Sequence, residues 1–400
     1  MRTIKLSLVL LLFTAAAGLL RAQAYQVGHM QVTYTDPARG GRSIQTEIYY
    51  PAATAGTAVP LSAGNFPVIV FGHGFVMTWD AYQNFWADLV PKGYILAFPR
   101  TEGNFSPNHG EFGKDLAFLI TKLQSEGSDP ASAFYGHVAA TSAVMGHSMG
   151  GGSAFLAAEN NSGITTMISF AAANTTPSAI TAAANITVPT LVFSGENDCV
   201  APPGQHQVPM YDSLASACKT FISIKGAAHC EFAEYNFNCS FGQSTCSPGP
   251  SISGAEQKDV VSDFLDLWLD YYLKNDNASA AYFNDSLSAS PRINYSQACP
   301  GMTATGLNER PLFNVIKVFP NPAHGTVTLS ISTQVEQEAL LKIVDLPGRT
   351  VYEKKISIRG NSGNTQTEEQ LDLSGLSPGI YLLELSAGGR RQAEKLLVTE

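Results

Sequence analysis

The 400-residue chain reads as an α/β domain with a mostly parallel, doubly wound sheet, followed by a small all-β sandwich. Three observations predict this. Between residues 25 and 299, short apolar runs alternate with helical stretches. From 315 onward only alternating, strand-like runs remain, punctuated by turn residues. The charge divides the same way: residues 25–314 carry net −11, residues 315–400 net −1. Composition supports a folded chain. It is 44% hydrophobic and 14% charged, too little charge for a disordered or coiled-coil protein. Net charge −9 argues against nucleic-acid binding. Only one stretch approaches the roughly 20 apolar residues of a membrane span, which excludes a polytopic membrane protein.

That stretch is N-terminal. Arg2 and Lys5 precede the apolar run Leu6–Leu20, and Ala22-Gln23-Ala24 supplies the small residues of a cleavage site. Residues 1–24 read as a cleaved signal peptide, with an uncleaved anchor as the rival. No membrane span is expected after its removal. Export gives meaning to the cysteines: Cys199, Cys218, Cys230, Cys239, Cys246 and Cys299 all lie before residue 300. Six in an exported domain suggest three disulfides, with about 15 possible pairings. Zinc is a weaker reading, because no CxxC pair exists.

Gln26–Tyr34 and Arg42–Tyr50 read as an opening antiparallel pair. Pro67–Gly72, Tyr94–Phe98, Ser142–Gly146, Thr165–Phe170, Thr190–Ser194 and Thr220–Ile224 read as buried parallel strands. Helices are expected over Trp79–Lys92, Lys114–Glu126, Met149–Asn160 and Gly254–Lys274. The last shows Val260/Val261, Phe264/Leu265 and Trp268/Leu269 on one face.

Two G-x-S-x-G matches occur, and the pattern alone is a weak signal. Gly146-His147-Ser148-Met149-Gly150 follows an apolar strand and precedes Gly151-Gly152 and an Ala-rich helix. Strand, sharp turn and helix are the context of a nucleophile elbow. In Gly375-Leu376-Ser377-Pro378-Gly379, the residue after the serine is proline, which has no N–H for an oxyanion. It reads as a turn between strands.

A serine hydroxyl needs a base in reach and an acid to orient that base. In α/β-hydrolases the order is Ser, Asp or Glu, then His. Thr190–Phe193 runs into Glu196-Asn197-Asp198, and Thr220–Ile224 runs into His229. The expected triad is Ser148, Asp198 and His229, with Glu196 the rival acid and His206 a poorer base. Met149 and Phe75, in Gly72-His73-Gly74-Phe75, are expected to supply the oxyanion N–H groups. His73 and His147 flank these elements; packing and hydrogen bonding are the expected roles, pocket lining the other reading.

With these residues in place, Val144–Gly152, Val188–Phe193, Glu196-Asn197-Asp198 with Ala201-Pro202, Tyr211–Leu214 and Lys219–Lys225 resemble the cutinase-like polyester hydrolases. These belong to the dienelactone-hydrolase-like branch of the α/β-hydrolases and include enzymes that cleave poly(ethylene terephthalate). The resemblance covers about residues 65–275. It implies a cap-free serine ester hydrolase without metal or organic cofactor, acting on carboxylic esters, with polyesters among them. It also implies that Phe75 stacks on substrate; His147 and Phe232 are taken as further substrate-binding residues. The family's tryptophan after the strand matching Thr165–Phe170 is replaced by Ala171-Ala172-Ala173-Asn174. Phe232–Ser247 is an added loop whose Phe232, Tyr235, Phe237 and Phe241 read either as a binding wall or, the favoured reading, as the loop's own core. The short link Ala171–Val188 leaves no room for a lid. Cys199 and Cys230 each follow a triad residue, and the polyester hydrolases have a comparable bridge. The expected pairs are therefore Cys199–Cys230, Cys239–Cys246 and Cys218–Cys299.

Residues 300–314 read as a linker and 315–400 as a sorting domain. Phe319-Pro320-Asn321-Pro322, Asp345, Gly348-Arg349, Leu373-Ser374-Gly375-Leu376, Pro378-Gly379-Ile380-Tyr381 and Lys395 closely resemble the C-terminal sorting domain of the type IX secretion system of Bacteroidetes-type bacteria. This implies passage across the outer membrane with removal of the tail, the secretion machinery as partner, and release or surface attachment; a monomer is expected. A carbohydrate-binding module is the rival for the tail. For the whole chain the alternatives are a lipase or a lysophospholipid or platelet-activating-factor-type acyl hydrolase and, in another class, a catalytically vestigial surface binding protein. A peptidase is a remoter reading.

Overall fold

In the computed structural model, residues 25–300 and 302 are described, with 315–332, 337–345, 349–358, 367–387 and 390–399 of the tail. The expected signal peptide and nearly all of the expected 300–314 linker lie outside the described residues. The chain divides into two units, one ending at Thr303 and the other beginning at Ala304.

The first unit opens with β1 (Gln26–Asp36) and β2 (Arg42–Ala52), antiparallel as expected, and a short β3 (Gly56–Thr57). Six strands then run parallel: β4 (Phe66–Gly72), β5 (Ile95–Pro99), β6 (Val138–His147), β7 (Thr166–Phe170), β8 (Thr190–Gly195) and β9 (Lys219–Ile224). An antiparallel edge strand, β10 (Ile293–Ala298), closes the far side. The sheet order is β10-β9-β8-β7-β6-β4-β5-β2-β1-β3. The order reverses around β4, and the crevice beyond the C-terminal strand ends at such a point is where α/β proteins bind ligands.

Alternation along the strands sorts side chains to two cores. Ile69, Phe71, Leu96 and Phe98 join one; Val68, Val70, Ile95 and Ala97 join the other. On the second face lie α2 (His109–Glu126), α3 (Met149–Ala158), α4 (Ala179–Ala183) and α5 (Gln207–Ser213). The first carries α1 (Gln83–Leu89), α7 (Gly254–Lys274) and α8 (Asn277–Ala289), while α6 (Phe237–Gln243) belongs to the added loop. α7 spans the expected residues because its signals are strong at both ends. Ser253 Oγ accepts the Glu256 N–H, and Asn275 closes the helix in the left-handed region. α2 starts five residues before the expected Lys114, because Asn108 caps it by accepting the Glu111 N–H. The expected helix Trp79–Lys92 is α1 flanked by 3-10 turns; Pro91 and the left-handed Gly93 end it. Between β7 and β8 stands only the five-residue α4, so no cap domain is present there.

Two of the three expected disulfides are corrected. Cys218 pairs with Cys299 as expected; the edge strand β10 brings Cys299 there, since Ala298 lies opposite Lys219 in the ladder. Cys230 pairs with Cys239, not Cys199, because α6 folds back on the turn after His229. The loop's far end then returns to the acid loop, where Cys246 meets Cys199 and Asn197 Nδ2 donates to the Gly249 carbonyl, 3.0 Å.

The second unit is all β: β11 (Val315–His324), β12 (Thr326–Ser332), β13 (Gln337–Asp345), β14 (Thr350–Ile358), β15 (Thr367–Asp372), β16 (Gly379–Ala387) and β17 (Arg390–Val398). β11 pairs with β12 and, past a bulge, touches β17, so one strand serves two layers. Leu329, Ile331 and Leu371 from one layer share a core with Leu341, Leu383 and Leu396 from the other. The second G-x-S-x-G match lies in the turn joining β15 and β16.

Candidate active site

The site forms where β4, β6, β8 and β9 end. Ser148 leaves β6 at φ 56°, ψ −120°, in the strained turn of an elbow. Its N–H donates to the Phe170 carbonyl at 3.0 Å, and its own carbonyl accepts from Gly152 and Ala173. So sharp a turn demands glycine around it. A Cβ on Gly146 would sit 2.2 Å from the Gly150 carbonyl oxygen. The side chain does not cap α3, which leaves the hydroxyl for another partner.

That partner is His229. Its Nε2 lies 2.9 Å from Ser148 Oγ, and its Nδ1 lies 2.7 Å from Asp198 Oδ2. Asp198 Oδ1 accepts the N–H groups of Val200 and Ala201 at 2.9 and 2.8 Å, which fixes the carboxylate. All three side chains are buried. Met149 opens α3, so helix geometry leaves its N–H without an intrahelical acceptor. Phe75 lies in the loop after β4, with its ring half exposed and Phe105 edge-on at 6.3 Å.

The rival residues have other partners. Glu196 accepts the Gly226 N–H, 2.9 Å, and so holds the turn that leads to His229. His206 Nδ1 accepts the Asn174 N–H, 2.9 Å, and burial lowers its pKa. His73 is buried between the carbonyls of Gly74 and Thr101.

Two expected substrate-binding residues are corrected. His147 is fully buried, held between the Tyr82 hydroxyl at 3.0 Å and the His229 carbonyl at 2.9 Å. Phe232 is 1% exposed and packs on Phe170 and His147. Neither presents surface to a ligand, because both belong to the layer beneath the triad. The rest of the added loop reverses the core reading: Tyr235, Phe237 and Phe241 are 81%, 68% and 73% exposed. Asn238 Nδ2 donates to the Val76 carbonyl, 2.9 Å, next to Phe75. The added loop is thus tied to the acid, base and Phe75 loops.

Three glutamines escape sequence reasoning. Gln257 exchanges two 3.0 Å bonds with the backbone of Ala228. Gln207 Nε2 donates to Ala172 and Ala201, and Gln243 Oε1 accepts the Cys230 N–H. A glutamine on the apolar face of α7 was a legible signal for the first. Among the described residues, no group of three or more His, Cys, Asp or Glu is arranged to hold a metal ion. No helix of the described residues is long and apolar enough to cross a membrane.

This elbow on a mixed, mostly parallel sheet defines an α/β-hydrolase. Residues 17–247 match the family model described as PET hydrolase-like, and the chain belongs to that family. Residues 317–399 match the secretion system C-terminal sorting domain, which marks the chain for type IX export, outside the cell or on its surface. The chain is 28% identical over 187 residues to the bis(hydroxyethyl) terephthalate hydrolase of Streptomyces coelicolor, covering 46% of this chain and 54% of that protein. It is 37% identical over 89 residues to cutinase 1 of Thermobifida cellulosilytica, covering 22% of this chain and 32% of that protein. The cutinase of Thermobifida fusca is also 37% identical over 89 residues, covering 22% and 28%. The chain thus spans about half the length of the first of these relatives and a third or less of the cutinases.

Proposed function

We propose that the protein is an exported serine ester hydrolase of cutinase type that acts on carboxylic esters, polyesters among them. The observation that carries this is the hydrogen-bonded series Asp198–His229–Ser148 at the C-terminal edge of the sheet. His229 takes the Ser148 proton as Oγ attacks the ester carbonyl. The N–H groups of Met149 and Phe75 stabilise the oxyanion. The alcohol leaves with the proton from His229, and water, deprotonated by His229, releases the acid from the acyl-enzyme. Asp198 holds the imidazole and the imidazolium that forms. The sorting domain engages the secretion machinery.

A polyester presents a broad apolar face, and the exposed Phe75, Phe237 and Phe241 offer one. In this reading they take the place of the missing family tryptophan. The test is a panel of p-nitrophenyl esters of rising chain length with an amorphous poly(ethylene terephthalate) film, and Ser148→Ala as control. Short-chain preference with terephthalate release is expected, along with covalent labelling of Ser148 by a fluorophosphonate. Long-chain preference would favour a lipid acyl hydrolase, and an unlabelled, inactive protein would mean a vestigial site. The double variant Phe237→Ala/Phe241→Ala should lose about ten-fold on the film and less than about two-fold on p-nitrophenyl acetate. Equal losses on both substrates would remove these rings from substrate binding.

A further inference from the structure

This inference rests on the ester-hydrolase reading and concerns two side chains that the reaction above does not use. Tyr82 and His147 are both fully buried, and together they join the loop after β4 to the loop after β9. His147 Nε2 lies 2.9 Å from the backbone oxygen of His229. A carbonyl oxygen only accepts, so this ring nitrogen carries the proton. The other nitrogen of the neutral ring is then an acceptor, and the Tyr82 hydroxyl, 3.0 Å away, donates to it. The Tyr82 oxygen in turn accepts the N–H of Gly74 at 2.8 Å. The bonds run in one direction: Gly74 to Tyr82, Tyr82 to His147, His147 to His229.

Burial preserves that direction. It lowers the His147 pKa well below the ordinary histidine value, and the neighbouring His229 lowers it further, so the ring stays neutral. It raises the Tyr82 pKa above the ordinary phenol value, so the hydroxyl keeps its proton. A neutral His147 also matters because its ring centroid is 4.8 Å from that of His229. A charged ring there would oppose the imidazolium formed during catalysis.

The two ends of this series are the two parts that must stay in register. Gly74 immediately precedes Phe75, the proposed oxyanion donor. The His229 carbonyl anchors the backbone of the base. We infer that Tyr82 and His147 are positioning residues, a three-bond relay that fixes the spacing between the oxyanion loop and the base. Its loss slows the chemical step and leaves substrate binding in place.

Tyr82→Phe deletes one oxygen and keeps the ring packed 4.6 Å from Phe71. Competent sites are counted by fluorophosphonate titration, and kcat per titrated site is measured on a soluble p-nitrophenyl ester. A fall in kcat of about ten-fold or more, with KM within about two-fold, is expected. His147→Gln keeps a donor for the His229 carbonyl and should retain several-fold more kcat than His147→Phe, which has none. In the wild-type protein, nitrogen NMR should find His147 neutral with the proton on Nε2; this measurement decides the matter if Tyr82→Phe does not fold. Unchanged kcat per site in Tyr82→Phe, no advantage of Gln over Phe, or a proton on Nδ1 would each overturn the relay while Ser148-dependent hydrolysis stands. Hydrolysis that survives Ser148→Ala would instead overturn the ester-hydrolase reading, and the relay with it.

Discussion

Ser148→Ala is expected to lower kcat on a soluble p-nitrophenyl ester by about 10⁶-fold, and Asp198→Asn by about 10⁴-fold, in proteins that keep their fold. The alanine variant has no nucleophile. The asparagine variant is the sharper test, because the surroundings of Asp198 dictate which way an amide must turn. Oδ1 accepts two backbone N–H groups, from Val200 and Ala201. An asparagine has to keep its oxygen there, which turns its NH2 toward His229 Nδ1. That nitrogen must then accept, so the proton moves to Nε2, the atom facing Ser148. A base that already carries a proton toward the nucleophile cannot take another. Steady-state kinetics with circular dichroism checks this. An asparagine variant within about ten-fold of wild type would remove Asp198 from the proposed triad.

Gly150→Ala is expected to destabilise the first unit by about 4 kcal/mol or more, with a fall in Tm of about 10 °C. A Cβ at this position would meet Gly72 O at 2.1 Å, Gly72 C at 2.2 Å and His73 O at 2.5 Å, all of them backbone atoms. Backbone at the end of a central strand cannot swing aside as a side-chain tip can. This contact sets the first turn of α3 against the end of β4, and so brings the Met149 and Phe75 loops side by side. Gly204→Ala is the control: a Cβ there meets nothing within 4 Å, and its effect should stay within about 0.5 kcal/mol. Thermal unfolding by calorimetry compares the two. A Gly150→Ala protein that melts with the wild type would show that the elbow tolerates a wider gap.

The parallel strands and α7 were legible because their signals are local. Apolar runs bounded by turn residues mark the strands, and Ser253 with Glu256 and a spaced apolar stripe mark the helix. The residues that meet as Ser148, Asp198 and His229 were legible for a related reason: parallel strands deliver the loops at their C-terminal ends to one edge of the sheet. α8 and β10 carry no such signal, because Asn277–Ala289 is rich in Asn, Ser and Ala, and Ile293–Ala298 has one buried residue among six. Cysteine pairing failed where it depended on the path of the added loop, since no local pattern says that α6 folds back toward Cys230. His147 and Phe232 neighbour the chemistry in sequence, which suggests the pocket surface. In space they lie one layer below it. Tyr82 gave no signal, since a tyrosine in an apolar helical stretch reads as core until its hydroxyl is seen among its partners.

The two disulfides of the added loop reach Cys199 and Cys230, the residues immediately after Asp198 and His229. Such bonds do not persist among the thiol reductants of a cytoplasm. Without them, the added loop that carries Phe237 and Phe241 would be held to the acid and base loops by hydrogen bonds such as Asn197 to Gly249 and Cys230 to Gln243 alone. Oxidation outside the inner membrane joins them covalently. Export to an oxidising compartment is thus also the condition for closing the added loop covalently onto the acid and base loops.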